Sequence, residues 1–308
     1  MKNKRLLGHL MAFTTILVWG TTFTSTKVLL RNLSPIEILF YRFLIAYLAL
    51  LLIYPKFNKI NNIKEELLFL SLGASGVTLY FLAENTALKY TLASNVGLLL
   101  AALPIITAIL AHIFINDEKF HKKLLVGFIF AVLGVFLVLF NERLVLNVNP
   151  IGDILAIIAA VIFSVYSILL RKVDINYSHI YVTRKVFFYG LMFMVPVLLI
   201  SDFQFRISWV KDLNILSNML FLGLIASAVC YVMWNKSISI IGVVKTSTYV
   251  YLSPVITMIA SSLILKEKVT LIAISGMLLI LLGVCVSEHG DKLFKNKNKV
   301  KYKSQKLS

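Results

Sequence analysis

Long apolar segments separated by short polar ones make up most of the chain as far as about residue 288. A helix needs about 20 apolar residues to cross the hydrocarbon core of a bilayer. Ten segments approach that length, near 7–30, 35–54, 67–88, 92–115, 122–140, 151–171, 181–201, 214–235, 246–265 and 270–288. The pattern predicts an all-α integral membrane protein with ten transmembrane helices.

The composition supports this class. Hydrophobic residues make up 59% of the chain, charged residues 15%, and the mean hydropathy is +0.88, whereas soluble domains are about 45–50% apolar and about 25% charged. The lipid bilayer is therefore an expected partner. The net charge of +17 raises the question of nucleic acid. No RNA-binding or helix-turn-helix pattern accompanies the cations, which lie mostly in the breaks between apolar segments, so no nucleic-acid partner is expected.

Lysines and arginines are divided unequally between the two sides of the predicted membrane. Alternate breaks place 22 of the 31 on the side of the N-terminus and eight on the other side, while Arg42 lies within a span. Because cytoplasmic loops carry the excess of positive charge, both termini are predicted to be cytoplasmic. Seven of the lysines lie in residues 291–308, which are predicted to form a disordered cytoplasmic tail near the anionic inner leaflet.

The two halves of the chain repeat each other. "LAALPIITAILAHIFINDEKF" in the first half is similar to "YLSPVITMIASSLILKEKV" in the second. A shift of 149 or 150 residues aligns the polar and small residues of the two copies: Asn85 with Asn235, Pro104 with Pro254, Glu118 with Glu267, Gly127 with Gly276, and Gly134 with Gly283. Residues 6–140 and 150–288 are therefore predicted to be two five-helix repeats. Because five is odd, the second repeat enters the membrane inverted, as in many secondary transporters that work by alternating access.

Several stretches resemble one known family. "VWGTTFTSTK", "YRFLIAYLALL", "GDILAIIAAVIFSVYSILLRK", "YVMWNKSISIIG" and the two proline-to-glutamate phrases are similar to those of EamA-type transporters of the drug/metabolite transporter superfamily. The resemblance covers about residues 6–288. It implies a basket of ten helices in two inverted five-helix repeats. It also implies a transporter in the bacterial plasma (inner) membrane, usually an exporter of amino acids, other metabolites or toxic solutes.

Arg42 is the deepest formal charge in this map, about 10 Å below the outer end of its span at 1.5 Å per residue. An ionisable residue within the membrane suggests a functional site. The structural alternative is a charge pair with Glu84, which also lies in an outer half. We expect Arg42 to face the protein interior, to pair with Glu84, and to meet an anionic group of the solute.

Other polar and aromatic side chains within the spans are candidates to contact solute, although helix packing and interface belts explain such residues as well. The candidate substrate-binding residues, besides Arg42 and Glu84, are Trp19, Thr22, Asn85, Tyr166, Trp234, Asn235, Tyr249 and Tyr251. The candidate structural or hinge residues are Gly20, Pro104, Pro254, Glu118 and Glu267. A proline within a span frees a backbone carbonyl that partner helices can satisfy, and a simple packing kink is the alternative.

Rival functions have less support in the sequence. An intramembrane enzyme would need a nucleophile–base pair or a metal cluster, and no HExxH or GxSxG motif is present. The two cysteines match no metal spacing, so neither a metal nor a cofactor is expected. A receptor or scaffold is weaker still, because no large segment lies outside the predicted spans. The sequence thus predicts a transporter of a small-molecule solute. It leaves a homodimer, the solute, the direction and the coupling ion open.

Overall fold

The computed structural model describes residues 2–56, 62–90, 96, 99–116, 122–139, 149–174, 176–201, 203, 205, 207–265, 270–272 and 274–287, and each secondary-structure element among them is helical. We number the helices in chain order. They are α1 (Lys2–Leu29), α2 (Pro35–Ile53), α3 (Ile63–Gly73, a π-helical Ala74–Leu79 and Tyr80–Tyr90), α4 (Leu103–Phe114), α5 (Lys122–Leu139), α6 (Pro150–Leu170), α7 (His179–Ile200), α8 (Leu213–Leu220, a π-helical Phe221–Val229 and Cys230–Ile241), α9 (Val243–Thr248, a 3₁₀ turn Tyr249–Leu252 and Ser253–Leu265) and α10 (Ile274–Ser287).

Local sequence signals determine where two of the helices begin. At the start of α2, the Ser34 hydroxyl accepts a hydrogen bond from the backbone N–H of Glu37, and the Glu37 carboxylate accepts one from the backbone N–H of Ser34. Pro35 occupies the first helical position, where its missing N–H is not needed. At the start of α6, the Asn149 side chain accepts from two backbone amides of the first turn. Both helix starts therefore follow from short polar signals before apolar runs.

Five helices of the described chain are long and apolar enough to cross a membrane, namely α2, α3, α6, α7 and α8. Helices α4, α5 and α10 are apolar but shorter. Since the large apolar side chains on their outer faces are widely exposed, these helices suit a bilayer rather than water. A helical protein that crosses the membrane several times is confirmed. The count of ten spans stays a prediction.

The two repeat-related prolines begin helices instead of kinking them. Helix α4 starts at Leu103 after a turn, and the last part of α9 starts at Ser253 after the 3₁₀ turn. Pro104 and Pro254 are therefore each the second residue of a helical segment. Because a proline in a first turn frees no carbonyl of the segment that it begins, neither proline kinks a continuous helix, and their role as hinges stays a prediction. Each copy of the repeat instead has a break just before its proline.

Helix packing follows the same repeat. Helices α1 to α5 correspond in sequence to α6 to α10. Helix α1 packs against α8 and α9, and its counterpart α6 packs against α3 and α4. Helix α2 packs against α8, and its counterpart α7 packs against α3. Each repeat therefore contributes equivalent surfaces to the interface between the two.

Helices α5 and α10, which are equivalent in the repeat, cross closely through glycines. A Cβ atom at Gly127 would lie 2.6 Å from the carbonyl oxygen of Gly283, and one at Gly134 would lie 2.5 Å from that of Gly276. The earlier glycine of α5 thus meets the later glycine of α10, which means that the two helices run antiparallel. An inverted repeat requires this arrangement, whereas two repeats of the same orientation would bring their equivalent helices together in parallel.

Candidate functional site

The guanidinium of Arg42 lies in the interior, between α2, α3 and α8. Only 9% of the residue is exposed, so the expectation that it faces the interior is confirmed. Its Nε donates a hydrogen bond of 2.5 Å to the hydroxyl of Ser227, in the π-helical part of α8. The guanidinium carbon also lies 5.5 Å from the ring centre of Phe43 and 5.2 Å from that of Phe81. These ring faces attract a cation, but they do not neutralise its charge.

The expected direct pair between Arg42 and Glu84 is wrong. Glu84 is also buried, with 8% of its surface exposed, and its carboxylate accepts a hydrogen bond of 3.0 Å from the hydroxyl of Tyr80 on the same helix. Among the described residues, no nitrogen of Arg42 lies within ion-pair distance of this carboxylate. The reason is geometric, because the Arg42 Nε is directed at Ser227 on α8 while Tyr80 holds Glu84 on α3. Two buried groups of opposite charge thus lie near each other without contact.

An aromatic cluster fills the centre next to these charges. The ring of Trp19 lies 5.1 Å from that of Trp234 and 5.5 Å from that of Tyr231, and the Tyr231 ring lies 6.0 Å from that of Phe43. Trp234 is fully buried, and its indole N–H has no hydrogen-bond partner among the described residues. A buried polar group without a partner is uncommon and costly. We call Trp19, Phe43, Phe163, Tyr231 and Trp234 the central aromatic cluster.

A hydrogen-bonded triad lies between this cluster and the end of the molecule that carries the N-terminus. The hydroxyl of Tyr166 donates to the side-chain oxygen of Asn235 at 2.9 Å, and the Asn235 amide nitrogen donates to the hydroxyl of Thr183 at 2.9 Å. All three residues are buried, and they come from α6, α8 and α7. The ring of Tyr166 contacts Phe163 of the central aromatic cluster at 5.5 Å. The triad therefore connects three helices directly below the aromatic cluster.

Both π-helical segments face this centre, and a shift of 150 residues aligns the first, Ala74–Leu79, with the last part of the second, Phe221–Val229. A π-helical turn leaves carbonyl groups that the regular pattern would use, and such segments are frequent at functional sites. In each segment, one of these carbonyl groups accepts a hydrogen bond from a side chain of the other repeat. The indole of Trp19 donates to the carbonyl of Ala226 at 2.8 Å, and the hydroxyl of Tyr231 donates to that of Gly76 at 3.1 Å. The centre is thus assembled around equivalent irregular segments.

Three of the other predicted residues make contacts that do not involve Arg42. Tyr249 lies near the N-terminal end of the bundle, where its hydroxyl is 2.9 Å from Nδ1 of His9. Tyr251 is buried beside Pro104, where α4 and α9 meet. The hydroxyl of Thr22 donates to the carbonyl of Trp19 within α1. The structure therefore does not group these three side chains with Arg42.

The remaining predicted residues have packing positions or no described position. Asn85 is half-buried beside Glu84. A Cβ atom at Gly20 would lie 2.7 Å from the Cγ2 atom of Ile256, so this glycine lets α1 approach α9 closely. Glu118 and Glu267, like the tail 291–308, lie outside the described residues. Among the described residues, no group of three or more His, Cys, Asp or Glu side chains could hold a metal ion.

A comparison with protein families accounts for this arrangement. The model of the EamA-like transporter family matches the chain twice, over residues 6–140 and 150–287. Together the two matches include most of the chain and all the helices that build the Arg42 site. The chain belongs to the EamA-like transporter family. It is therefore a membrane transport protein of the drug/metabolite transporter superfamily, as the resemblance of its motifs implied.

Relatives of this EamA-like chain include transporters from bacteria and archaea. One protein of Archaeoglobus fulgidus, named only as an uncharacterized transporter, is 29% identical over 280 residues, which cover 90% of this chain and 95% of the relative. The uncharacterized transporter YyaM of Bacillus subtilis is 26% identical over 291 residues, covering 92% and 93%. A solved crystal structure shares the fold with a TM-score of 0.74 at 18% identity, and covers 92% of this chain and 98% of that one.

Sequence reasoning missed several residues of the site, including Ser227, Tyr80 and Thr183. Serine, threonine and tyrosine are common in membrane helices, so their identity alone carries little information. The internal repeat, however, could have indicated one part of the site, the stretch of α3 that carries Tyr80. Under the shift of 150 residues, the segment from Tyr80 to Glu84 superimposes on that from Cys230 to Trp234, so both copies bring the same stretch of helix to the centre.

Proposed function

We propose that this EamA-like protein carries small metabolites, amino acids or related solutes, out of the bacterial cell by alternating access between two inverted repeats. The observation that supports the proposal most is the buried guanidinium of Arg42, whose only hydrogen bond among the described residues goes to the neutral Ser227. A guanidinium removed from water without an acidic partner is costly to keep. A solute that brings a carboxylate would supply the missing partner.

The neighbouring charge supports a solute that carries both signs. Glu84 lies on the next helix, is buried, and accepts a hydrogen bond from Tyr80 alone among the described side chains. A solute with a carboxylate and an amine would place the carboxylate at Arg42 and the amine at Glu84. The central aromatic cluster, including the unpaired N–H of Trp234, would contact the remainder of such a solute. This arrangement favours amino acids over solutes of a single charge.

The repeat supports alternating access. The antiparallel crossing of α5 and α10 and the matched π-helical segments are expected when two equivalent units surround one site in opposite orientations. Rocking one unit against the other would expose the Arg42 site to either side in turn. The excess of Lys and Arg on the side of the N-terminus supports cytoplasmic termini.

Solute flux in proteoliposomes tests the proposal. Purified protein would be reconstituted and assayed for exchange of a panel of radiolabelled amino acids, and the best solute would be measured with Arg42→Ala and Arg42→Lys. Loss of a charged hydrogen bond is worth about 1.5–3 kcal/mol. Arg42→Ala should therefore reduce flux per folded protein by roughly 10-fold or more. Arg42→Lys should keep part of the flux, because it keeps the charge.

Arg184 provides a matched control, since it is also a buried arginine. Its guanidinium donates to the backbone carbonyls of Tyr54 and Lys56, and it therefore ties α7 to the end of α2. Arg184→Ala should lower the amount of folded protein and leave the flux of the remaining folded molecules largely intact. Equal flux per folded molecule in Arg42→Ala and the unmodified protein would refute the proposed role of Arg42.

A further inference from the structure

A cleft opens at the end of the bundle that carries the N-terminus. Its walls are the last turn of α6, the start of α7 and the C-terminal part of α8. The polar lining residues are Arg171, Asp174, Tyr177, His179, Asn235 and Ser239. The cleft is separate from the Arg42 site, which lies on the other side of the central aromatic cluster. The function proposed above assigns it no role.

The cleft contains an arginine, Arg171, that forms no ion pair with the described part of the chain. Arg171 donates one hydrogen bond, of 3.3 Å, to the carbonyl of Ser239. A guanidinium has five N–H donors, so most of its capacity is unused. His179 lies within hydrogen-bond distance, 3.3 Å, of the hydroxyl of Ser239, and Lys236 is close enough to act on His179 electrostatically. Arg171 is therefore the permanent cation in the lining of the cleft, and Lys236 lies close by.

Two acids lie in or near the cleft, and Asp174 is one of its lining residues. The carboxylate of Asp174 accepts a hydrogen bond of 2.9 Å from the backbone N–H of Asn176, and so closes its own turn. The Glu65 carboxylate near the Tyr177 hydroxyl raises the pKa of Tyr177 to about 12. Tyr177 therefore stays protonated near neutral pH. Neither acid forms an ion pair with Arg171 in the described part of the chain, so the guanidinium donors of Arg171 stay available to a ligand in the cleft.

The floor of the cleft connects it to the interior. Asn235 lines the cleft although only 2% of the residue is exposed. Its two hydrogen bonds, to Tyr166 and Thr183, use one lone pair and one N–H. One lone pair and one N–H of the amide thus remain available to a molecule in the cleft. Since Tyr166 also contacts the central aromatic cluster, any shift of Asn235 acts directly on the layer that separates the cleft from Arg42.

We propose that this cleft is an entry subsite, which binds the carboxylate of a solute through Arg171 and Asn235 before the solute reaches Arg42. The inference rests on the proposed function, because it supplies the first stop on the same path. The subsite selects for carboxylates, whose oxygens accept hydrogen bonds from Arg171 and from the free N–H of the Asn235 amide. An anionic lipid headgroup also carries oxyanions that could bind Arg171. Unlike a small solute, it is not expected to enter as far as the buried amide of Asn235.

Binding to the purified full-length protein in nanodiscs of neutral lipid tests this subsite. Intrinsic fluorescence would be titrated with sodium propionate, since Trp234 is adjacent to Asn235. Propionamide serves as the neutral analogue, sodium chloride as the ionic-strength control and inorganic phosphate as the competing oxyanion. We expect saturable quenching by propionate, little by propionamide or chloride, and weaker binding of phosphate.

Variants locate the binding. Arg171→Gln, and independently Ser239→Asp, which puts a carboxylate into the cleft, should weaken propionate binding at least about 10-fold, as expected for the loss of a charged contact. Arg42→Ala should retain a propionate-binding site, and Lys211→Gln, which removes a cation at the opposite end, should change nothing. Should Arg171→Gln fail to fold, Ser239→Asp decides.

Three results would overturn the entry subsite. They are unchanged propionate binding in Ser239→Asp, loss of all binding in Arg42→Ala alone, and loss of propionate binding when the nanodisc contains phosphatidylglycerol. The second result would leave the proposed function intact with Arg42 as its only site. Conversely, propionate binding that depends on Arg171 in a protein with no amino-acid flux would preserve the subsite and refute the proposed function.

Discussion

The glycine crossing of α5 and α10 gives a quantitative prediction for Gly283→Ala. A Cβ atom at this position would lie 2.6 Å from the carbonyl oxygen of Gly127 and 2.7 Å from the backbone nitrogen of Ala131. Ordinary contact begins at 3.4 Å, so the helices must separate by about 0.8 Å, the difference from 2.6 Å. Because the obstacles are backbone atoms, no side-chain rotation relieves the clash. Overpacking of this kind costs about 1–3 kcal/mol.

The double variant Gly127→Ala with Gly283→Ala tests the reasoning more sharply. The same separation of the two helices relieves the clash of either alanine. The second substitution should therefore cost little once the first has moved the helices apart. We therefore expect the double variant to lose clearly less stability than the two single variants together. The assay is the free energy of unfolding from an SDS titration in mixed micelles.

Leu133→Ala is the matched control, because Leu133 lies on α5 beside Gly134 and is 53% exposed on the outer face. It should change stability by only a fraction of the effect of Gly283→Ala. If Gly283→Ala were as stable as Leu133→Ala, the close crossing would be refuted. If the two glycine variants were fully additive, they would act at separate places and not at one shared contact.

Two further predictions concern the centre and the tail. Gly76→Ala would place a Cβ atom 2.4 Å from the ring of Tyr166, so it should displace Tyr166 from Asn235 and lower stability by about 1–3 kcal/mol; an unchanged thermal unfolding curve would contradict this contact. Deletion after Gly290 removes the lysine-rich tail and should leave flux near normal with slightly weaker membrane retention; complete loss of flux in a correctly inserted truncation would show that the tail takes part in transport.

The class of the fold could be predicted because hydrophobic length is a direct physical requirement of the bilayer. The apolar segments that became α2, α6 and α7 are long and uninterrupted, and polar caps such as that at Ser34 mark their ends. The apolar segments around Pro104 and Pro254 fit a continuous span as well as they fit a broken one. Hydropathy cannot detect a break within an apolar run, since the broken and continuous forms bury the same side chains.

The site could be predicted only in part, and for an equally physical reason. Arg42 was found because a charge deep within a span is costly and therefore conspicuous. The hydrogen-bond partner of Arg42 was not predicted. Glu84 was expected because of its charge, whereas in the structure Arg42 of α2 donates to the neutral Ser227 of α8. Which side chains meet depends on the π-helical segments, which rotate α3 and α8 by an amount that no sequence periodicity reveals.

The most direct test of the inverted repeat, on which the account depends, is the sidedness of equivalent positions. Single cysteines at Asn116 and Thr270, beside Glu118 and Glu267, would be introduced into a chain with Cys230 and Cys285 replaced, and labelled in cells with a membrane-impermeant maleimide. The account predicts that the cysteine at position 270 reacts from outside and that the cysteine at position 116 reacts only after the membrane is opened. Labelling of both from the same side would contradict the inverted repeat, and with it alternating access between two opposed units.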